Sequence, residues 1–138
     1  MNDAHLFAAA REVAKTADYS GSSAVKIGCV VSYKKTILAK GANSNKTHPT
    51  QARFNRLRFA ADTPHKCHAE LTAIRKIRYL DIDMSKVTIY TYRELKDGSL
   101  ALSRPCPACL AAIKAMGIEH IAYTTPDGYA KETLKKEI

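Results

Sequence analysis

The chain has no apolar run approaching the ~20 residues that a membrane-spanning helix needs, and its start, Met1-Asn2-Asp3-Ala4, lacks a basic stretch leading into an apolar one. The first absence argues against a bilayer-crossing helix, and no membrane partner is expected. The second predicts no signal peptide and a cytoplasmic protein. Cysteine is scarce, with four in 138 residues. Two of them form one Cys-x-x-Cys pair, Cys29 sits in an apolar strand pattern where a buried thiol is the default, and Cys67 stands beside a candidate helix, so no disulfide framework is implied. No repeat or low-complexity tract is visible, and no second domain is expected. Carboxylates are outnumbered, 13 Asp and Glu against 22 Lys and Arg, for a net charge of +9.

What remains is an ordinary globular composition, 46% hydrophobic and 25% charged, in a chain long enough to bury one substantial core. Residues 1–138 read as one domain. Asn2 or Asp3 can cap a helix whose apolar residues Leu6, Ala10, Val13, Ala14 and Ala17 recur at helical spacing, a packing element with no chemistry of its own. Lys26 to Val31 alternates as a first core strand; Tyr33-Lys34-Lys35-Thr36 reads as a turn without glycine; and Ile37-Leu38-Ala39 leads to Gly41-Ala42-Asn43 at the end of a second strand. Thr63-Pro64 precedes a helix carrying His68, Leu71, Ile74 and Ile77. Val87 to Tyr92 is rich in β-branched and aromatic residues, Cys106 to Met116 is helical and ended by Gly117, and His120 to Thr124 is a further strand. After Pro126-Asp127-Gly128, Tyr129 to Leu134 looks like a returning strand, with a short helix over 129–137 as the alternative. Strands alternating with helices predict an α/β fold, a mixed sheet covered on both faces.

The residues that carry chemistry are His68-Ala69-Glu70 and Pro105-Cys106-Pro107-Ala108-Cys109. One His and two Cys supply three metal ligands, and Glu70 is a carboxylate not needed as a fourth. A structural zinc closes its tetrahedron with four protein ligands, whereas three leave a position for a water that the metal acidifies. Cys106 and Cys109 lie on one face of a first helical turn, where the helix dipole favours thiolate over thiol. A Cys-x-x-Cys alone often marks a zinc ribbon or a redox pair, but either reading leaves His68 and Glu70 without a purpose.

H-x-E…P-C-x-x-C is the signature of zinc-dependent nucleobase deaminases. With Lys26-Ile27-Gly28-Cys29-Val30-Val31, Gly41-Ala42-Asn43 and Cys67-His68-Ala69-Glu70 in order, the chain resembles the cytidine and deoxycytidylate deaminase superfamily over residues 4–125. The resemblance implies a three-layer α-β-α sandwich with a mixed central sheet of about five strands, a Zn2+ cofactor on His68, Cys106 and Cys109, and Glu70 as the catalytic proton carrier. In that chemistry Glu70 takes a proton from the metal's water, oxygen attacks C4 of a cytosine ring or C6 of an adenine, and Glu70 returns protons to the ring nitrogen and the departing ammonia. Asn43 and Ala69 match substrate-contacting positions, although Gly-x-Asn at a strand end is also common turn chemistry. Dimers or tetramers are common in the family, so a homo-oligomer is implied without a visible interface.

Charge bears on the substrate. Between Lys46 and Tyr79, Lys46, Arg53, Arg56, Arg58, Lys66, Arg75, Lys76 and Arg78 face only Asp62 and Glu70, which favours a phosphate-bearing substrate. Arg75, Lys76 and Arg78 are expected to solvate a helix face. Lys46, His48 and Arg53, in the segment between Asn43 and the His68 helix, together with Arg104, are the candidate sugar and phosphate contacts. Phe54 and Tyr92 are candidate walls for a base, though such aromatics are more often core. His48, His65 and Cys67 match no strong spacing for a second zinc, so one zinc is expected. Arg93 to Arg104, with Asp97-Gly98 as a turn, predicts a small hairpin or loop overhanging the site. The favoured activity is deamination of a cytosine nucleotide or nucleoside. The alternatives are a polynucleotide deaminase on single-stranded DNA cytosine or tRNA adenosine, and a catalytically idle zinc domain that binds nucleic acid. The returning strand after Gly128 departs from the helix-then-strand ending of tRNA adenosine deaminases.

Overall fold

Helix α1 (Asp3–Ala14) buries Leu6, Phe7, Ala10 and Ala14, one stripe at helical spacing that must lie on an apolar face. A computed structural model of the chain describes this helix and its surroundings at residues 3–15, 26–34, 36–42, 44–47, 66–67, 69–95, 98–105 and 107–134. The face under α1 belongs to β1 (Ile27–Tyr33), which pairs antiparallel with β2 (Thr36–Ala42). Tyr33 pairs with Thr36, so the hairpin is tight, and Lys34 takes the left-handed φ of 50° that such hairpins demand even without glycine. Gly28 is where α1 crosses β1. A Cβ there would collide with the Ala10 carbonyl oxygen and lie 2.5 Å from the Ala14 nitrogen.

The central sheet has five strands in the order β2-β1-β5-β6-β7, with β5 (Val87–Arg93), β6 (His120–Thr125) and β7 (Gly128–Thr133). Only β5 and β6 are parallel; every other neighbouring pair is antiparallel. This is the mixed sheet that the alternating elements predict, and β7 is the returning strand and not a helix. Parallel neighbours need a crossover, and α3 (Pro107–Ala115) supplies it, ended by Gly117 at φ 87°.

Alternation along the strands divides the core between two faces. Val30, Tyr90, Tyr92 and Ala122 pack with α1 on one side. Cys29, Val31, Ile89 and Ile121 pack on the other side with Ala73 and Ile74 of α2 (Ala69–Ile74) and Cys109, Ala112 and Ile113 of α3. The result is the expected three-layer sandwich. Helix α2 is shorter than its apolar spacing suggests, because from Ala73 the chain tightens into bonds such as Lys76 N to Ala73 O and Ile77 N to Ile74 O, yet Ile77 remains buried. Among the described residues no helix is long and apolar enough to cross a membrane.

The packing of α1 on Gly28 gives a test. Gly28→Ala is expected to cost about 1–3 kcal/mol through forced separation of helix and strand, read as a lower urea midpoint with the slope preserved. An unchanged midpoint would contradict the close approach.

Candidate active site

The topology brings several chain ends to one edge of the sheet. β5 and β6 are parallel, so their carboxyl ends share a rim. β1 is antiparallel to β5 and pairs Gly28 with both Ala42 and Tyr92, so the end of β2 and the start of β1 join the same rim. Helix α3 begins there, following β5 in the crossover. Ligand sites of open α/β sheets form outside such carboxyl ends.

Glu70 lies in the first turn of α2 and is 4% exposed. A carboxylate so buried needs compensation, and the helix N-terminus is one source of it. Its position is marked by Cys29 on β1, whose thiol burial pushes well above the ordinary range, with the Glu70 charge adding to the rise. Cys109 lies in the first turn of α3, wholly buried in the core that α2 and α3 share. Cys29 and Cys109 are in no disulfide.

A two-stranded ribbon, β3 (Ser44–Thr47) against β4 (Lys66–Cys67), completes the rim. It pairs Ser44, the neighbour of Asn43, with Cys67, the neighbour of His68. The two nominated segments are thus joined at adjacent positions although they are far apart in sequence. His68, Cys106, Asn43, His48, Arg53, Phe54 and His65 lie outside the described residues, as do the side chains of Lys46 on β3 and Ala69 on α2. Accordingly, no group of three or more metal-ligating side chains assembles among the described residues. What is described fits a thiophilic divalent ion: a buried cysteine at a helix N-terminus suits a thiolate ligand, while Cys29, in mid-strand beside a carboxylate, is held as a neutral thiol.

The approach to Cys106 is fixed by a buried polar lock that the sequence did not announce. Ser103 donates through its hydroxyl to the Thr91 carbonyl (3.0 Å) and accepts from the Thr124 amide (2.8 Å). The Thr91 hydroxyl donates to the Ser103 carbonyl (2.8 Å), and that of Thr124 to the Ala101 carbonyl (2.7 Å). Thr91 and Thr124 are wholly buried and Ser103 nearly so. The cue, visible only in retrospect, is a threonine near the end of each parallel strand. Arg104, expected to contact phosphate, instead makes a bidentate pair with Glu132 on β7 at 2.8 and 2.9 Å. That pair holds the Glu132 carboxyl below its ordinary range, with Tyr123 as a further donor. Tyr92 faces α1, on the opposite side of the sheet from Glu70 and Cys109, because strand alternation puts it with Tyr90. The segment after β5 is a small hairpin, with Glu94 bridged to Leu100. It is fastened to the α1 layer by Leu100 and by Arg11 opposite Glu94 at 3.6 Å.

Comparison with known proteins gives a family and a fold. The family model described as the cytidine and deoxycytidylate deaminase zinc-binding region matches residues 1–125. No curated protein matches the chain. Among solved structures, cytidine deaminase from Burkholderia pseudomallei superposes with a TM-score of 0.68 at 17% identity, over 96% of this chain and 93% of that one. The dCMP deaminase of cyanophage S-TIM5, solved with dCMP and dUMP, gives 0.58 at 16% identity over 91% and 84%. Guanine deaminase from Bacillus subtilis gives 0.54 at 23% identity over 91% and 65%. At these identities the likeness establishes the fold alone.

The polar lock makes its own prediction. Ser103→Ala strands the Thr124 amide in the core, which is expected to cost about 1–3 kcal/mol. Chemical denaturation checks it, and a cost within about 0.5 kcal/mol, as at an ordinary surface site, would contradict the lock.

Proposed function

We propose, from the premise that this chain belongs to the cytidine and deoxycytidylate deaminase zinc-binding family, that it is a hydrolytic deaminase which converts the cytosine base of a nucleotide or nucleoside to uracil and releases ammonia. The observation that carries the reading is the buried Glu70 carboxylate in the first turn of α2, at the carboxyl rim where α3 presents Cys109. A carboxylate held out of water at a helix start is suited to moving protons and is wasted as packing.

His68, Cys106 and Cys109 would hold the zinc, leaving one position open, and the metal would supply the Lewis acidity that makes water a usable nucleophile near neutral pH. Glu70 takes the proton from the attacking water as its oxygen adds to C4. It passes that proton to the ring nitrogen, then carries the remaining proton of the new C4 hydroxyl to the amino group, so that the C4 carbonyl forms and the C–N bond breaks with neutral ammonia leaving. Asn43 and Ala69 would orient the base and sugar. Lys46, His48 and Arg53 remain the candidate contacts to the rest of the substrate. A homo-oligomer and a cytoplasmic location, where free nucleotides are processed, belong to the same reading.

The base is assigned from the family, since the guanine deaminase of Bacillus subtilis shares the fold. The basic charge, +9 in 138 residues, favours a second reading, a polynucleotide substrate. The antiparallel return of β7 along β6 speaks for the small-molecule reading against a tRNA deaminase ending.

Ammonia release by the zinc-loaded protein should be seen with cytidine, deoxycytidine, CMP or dCMP. Glu70→Ala should lower it on the order of 10²–10⁴-fold while one zinc per chain is retained, whereas Cys109→Ala should lose the metal. Near-normal turnover by Glu70→Ala would overturn the assignment. Substrate affinity should also fall only slightly with salt; a steep linear loss in log affinity against log salt, with turnover of polymers alone, would establish the second reading.

A further inference from the structure

We infer that Arg93, at the carboxyl end of β5, is the phosphate-binding residue that makes a cytosine nucleotide, and not a nucleoside, the preferred substrate. The inference rests on the deaminase reading above and narrows it. Arg93 is the last residue of β5, and the strand pairs with β1 without a register break from Val87 through Arg93. Its alternation is therefore intact: Val87 and Ile89 pack with α2 and α3, Tyr90 and Tyr92 with α1. Arg93 shares the parity of Ile89 and Thr91, so its side chain leaves the sheet on the face that carries Glu70 and Cys109.

Its place along the strand suits a phosphate. Thr91 pairs with Cys29, the residue whose thiol senses the Glu70 charge, and Arg93 lies two residues further out, opposite Ile27. Two residues of strand advance ~6.5 Å toward the rim, about the separation of a nucleotide's base from its phosphate. A base held at Glu70 would thus extend its phosphate toward Arg93.

The guanidinium has unused donors. Its Nε is buried and has no hydrogen-bond partner among the described residues. One terminal nitrogen reaches the Leu102 carbonyl oxygen only at the long distance of 3.5 Å. A buried donor left without an acceptor is costly, and a guanidinium fork is shaped for two phosphate oxygens at once. Arg104 offers the contrast: the same cation eleven residues along is already filled by both oxygens of Glu132.

The test compares dCMP with deoxycytidine on the zinc-loaded full chain. The wild type should prefer dCMP, and Arg93→Ala should lower the ratio of the two kcat/KM values about 10- to 100-fold, the worth of a hydrogen bond to a charged group. Arg93→Lys should keep part of that ratio, and Arg104→Ala should leave it near the wild-type value. A variant that merely folds badly loses both substrates together and does not move the ratio. As a readout without turnover, calorimetry on the Glu70→Ala protein should show dUMP binding more tightly than deoxyuridine, with the difference lost in Glu70→Ala/Arg93→Ala. A ratio within about threefold of wild type in Arg93→Ala, or a wild type that turns over deoxycytidine with no preference for dCMP, overturns the inference and leaves the deaminase reading standing. No ammonia from either compound and no binding of dUMP would remove both.

Discussion

The parallel pairing of β5 with β6 is the constraint on which the rest of the site depends. A parallel pair cannot be closed by a turn, so the chain must travel back across a face of the sheet, and α3 is that path. The crossover delivers the start of α3, with Cys109 in its first turn, to the edge where β5 and β6 end. The antiparallel neighbours β1 and β2 bring Cys29 and Ala42 to the same edge, and α2 places Glu70 above Cys29. Two helix N-termini then serve one small region, one carrying Cys109 and the other Glu70.

Keeping that edge rigid is the work of polar groups. Beyond Thr91 the pairing of β5 with β6 stops, and the backbone of both strands would be left unsatisfied in the core. Ser103 fills the opening, exchanging bonds with Thr91 and Thr124, while Arg104 is clasped by Glu132 and Pro105 is buried. The chain enters Cys106 from three consecutive residues that are each restrained. The cost of burying hydroxyls is offset because every one of them has a partner.

The fold was legible where periodicity was strong. The alternation in Lys26–Val31 and Val87–Tyr92 and the helical spacing of Leu6, Ala10 and Ala14 correspond to β1, β5 and α1, and the Pro126-Asp127-Gly128 turn leads into β7 as expected. Phe7 escaped because it flanks the stripe, and its partners Tyr90 and Tyr129 come from strands far along the chain. Glu70 and Cys109 were nominated from motif spacing, and the structure buries both; the proposed ligands His68 and Cys106 lie outside the described residues. Arginine roles were not legible. Whether Arg104 or Arg93 has free donors depends on Glu132 and on Leu102, a strand partner and a loop carbonyl that no local pattern connects to them.

X-ray absorption at the zinc edge of the metal-loaded protein is the decisive measurement for the proposed site, because it counts the atoms around the ion without reference to activity. Two sulfurs at about 2.3 Å and two nitrogen or oxygen atoms at about 2.0–2.1 Å are expected, from Cys106, Cys109, His68 and one exchangeable position. Three or more sulfurs would contradict it, since Cys29 or Cys67 would then close the shell and leave Glu70 with no water to serve.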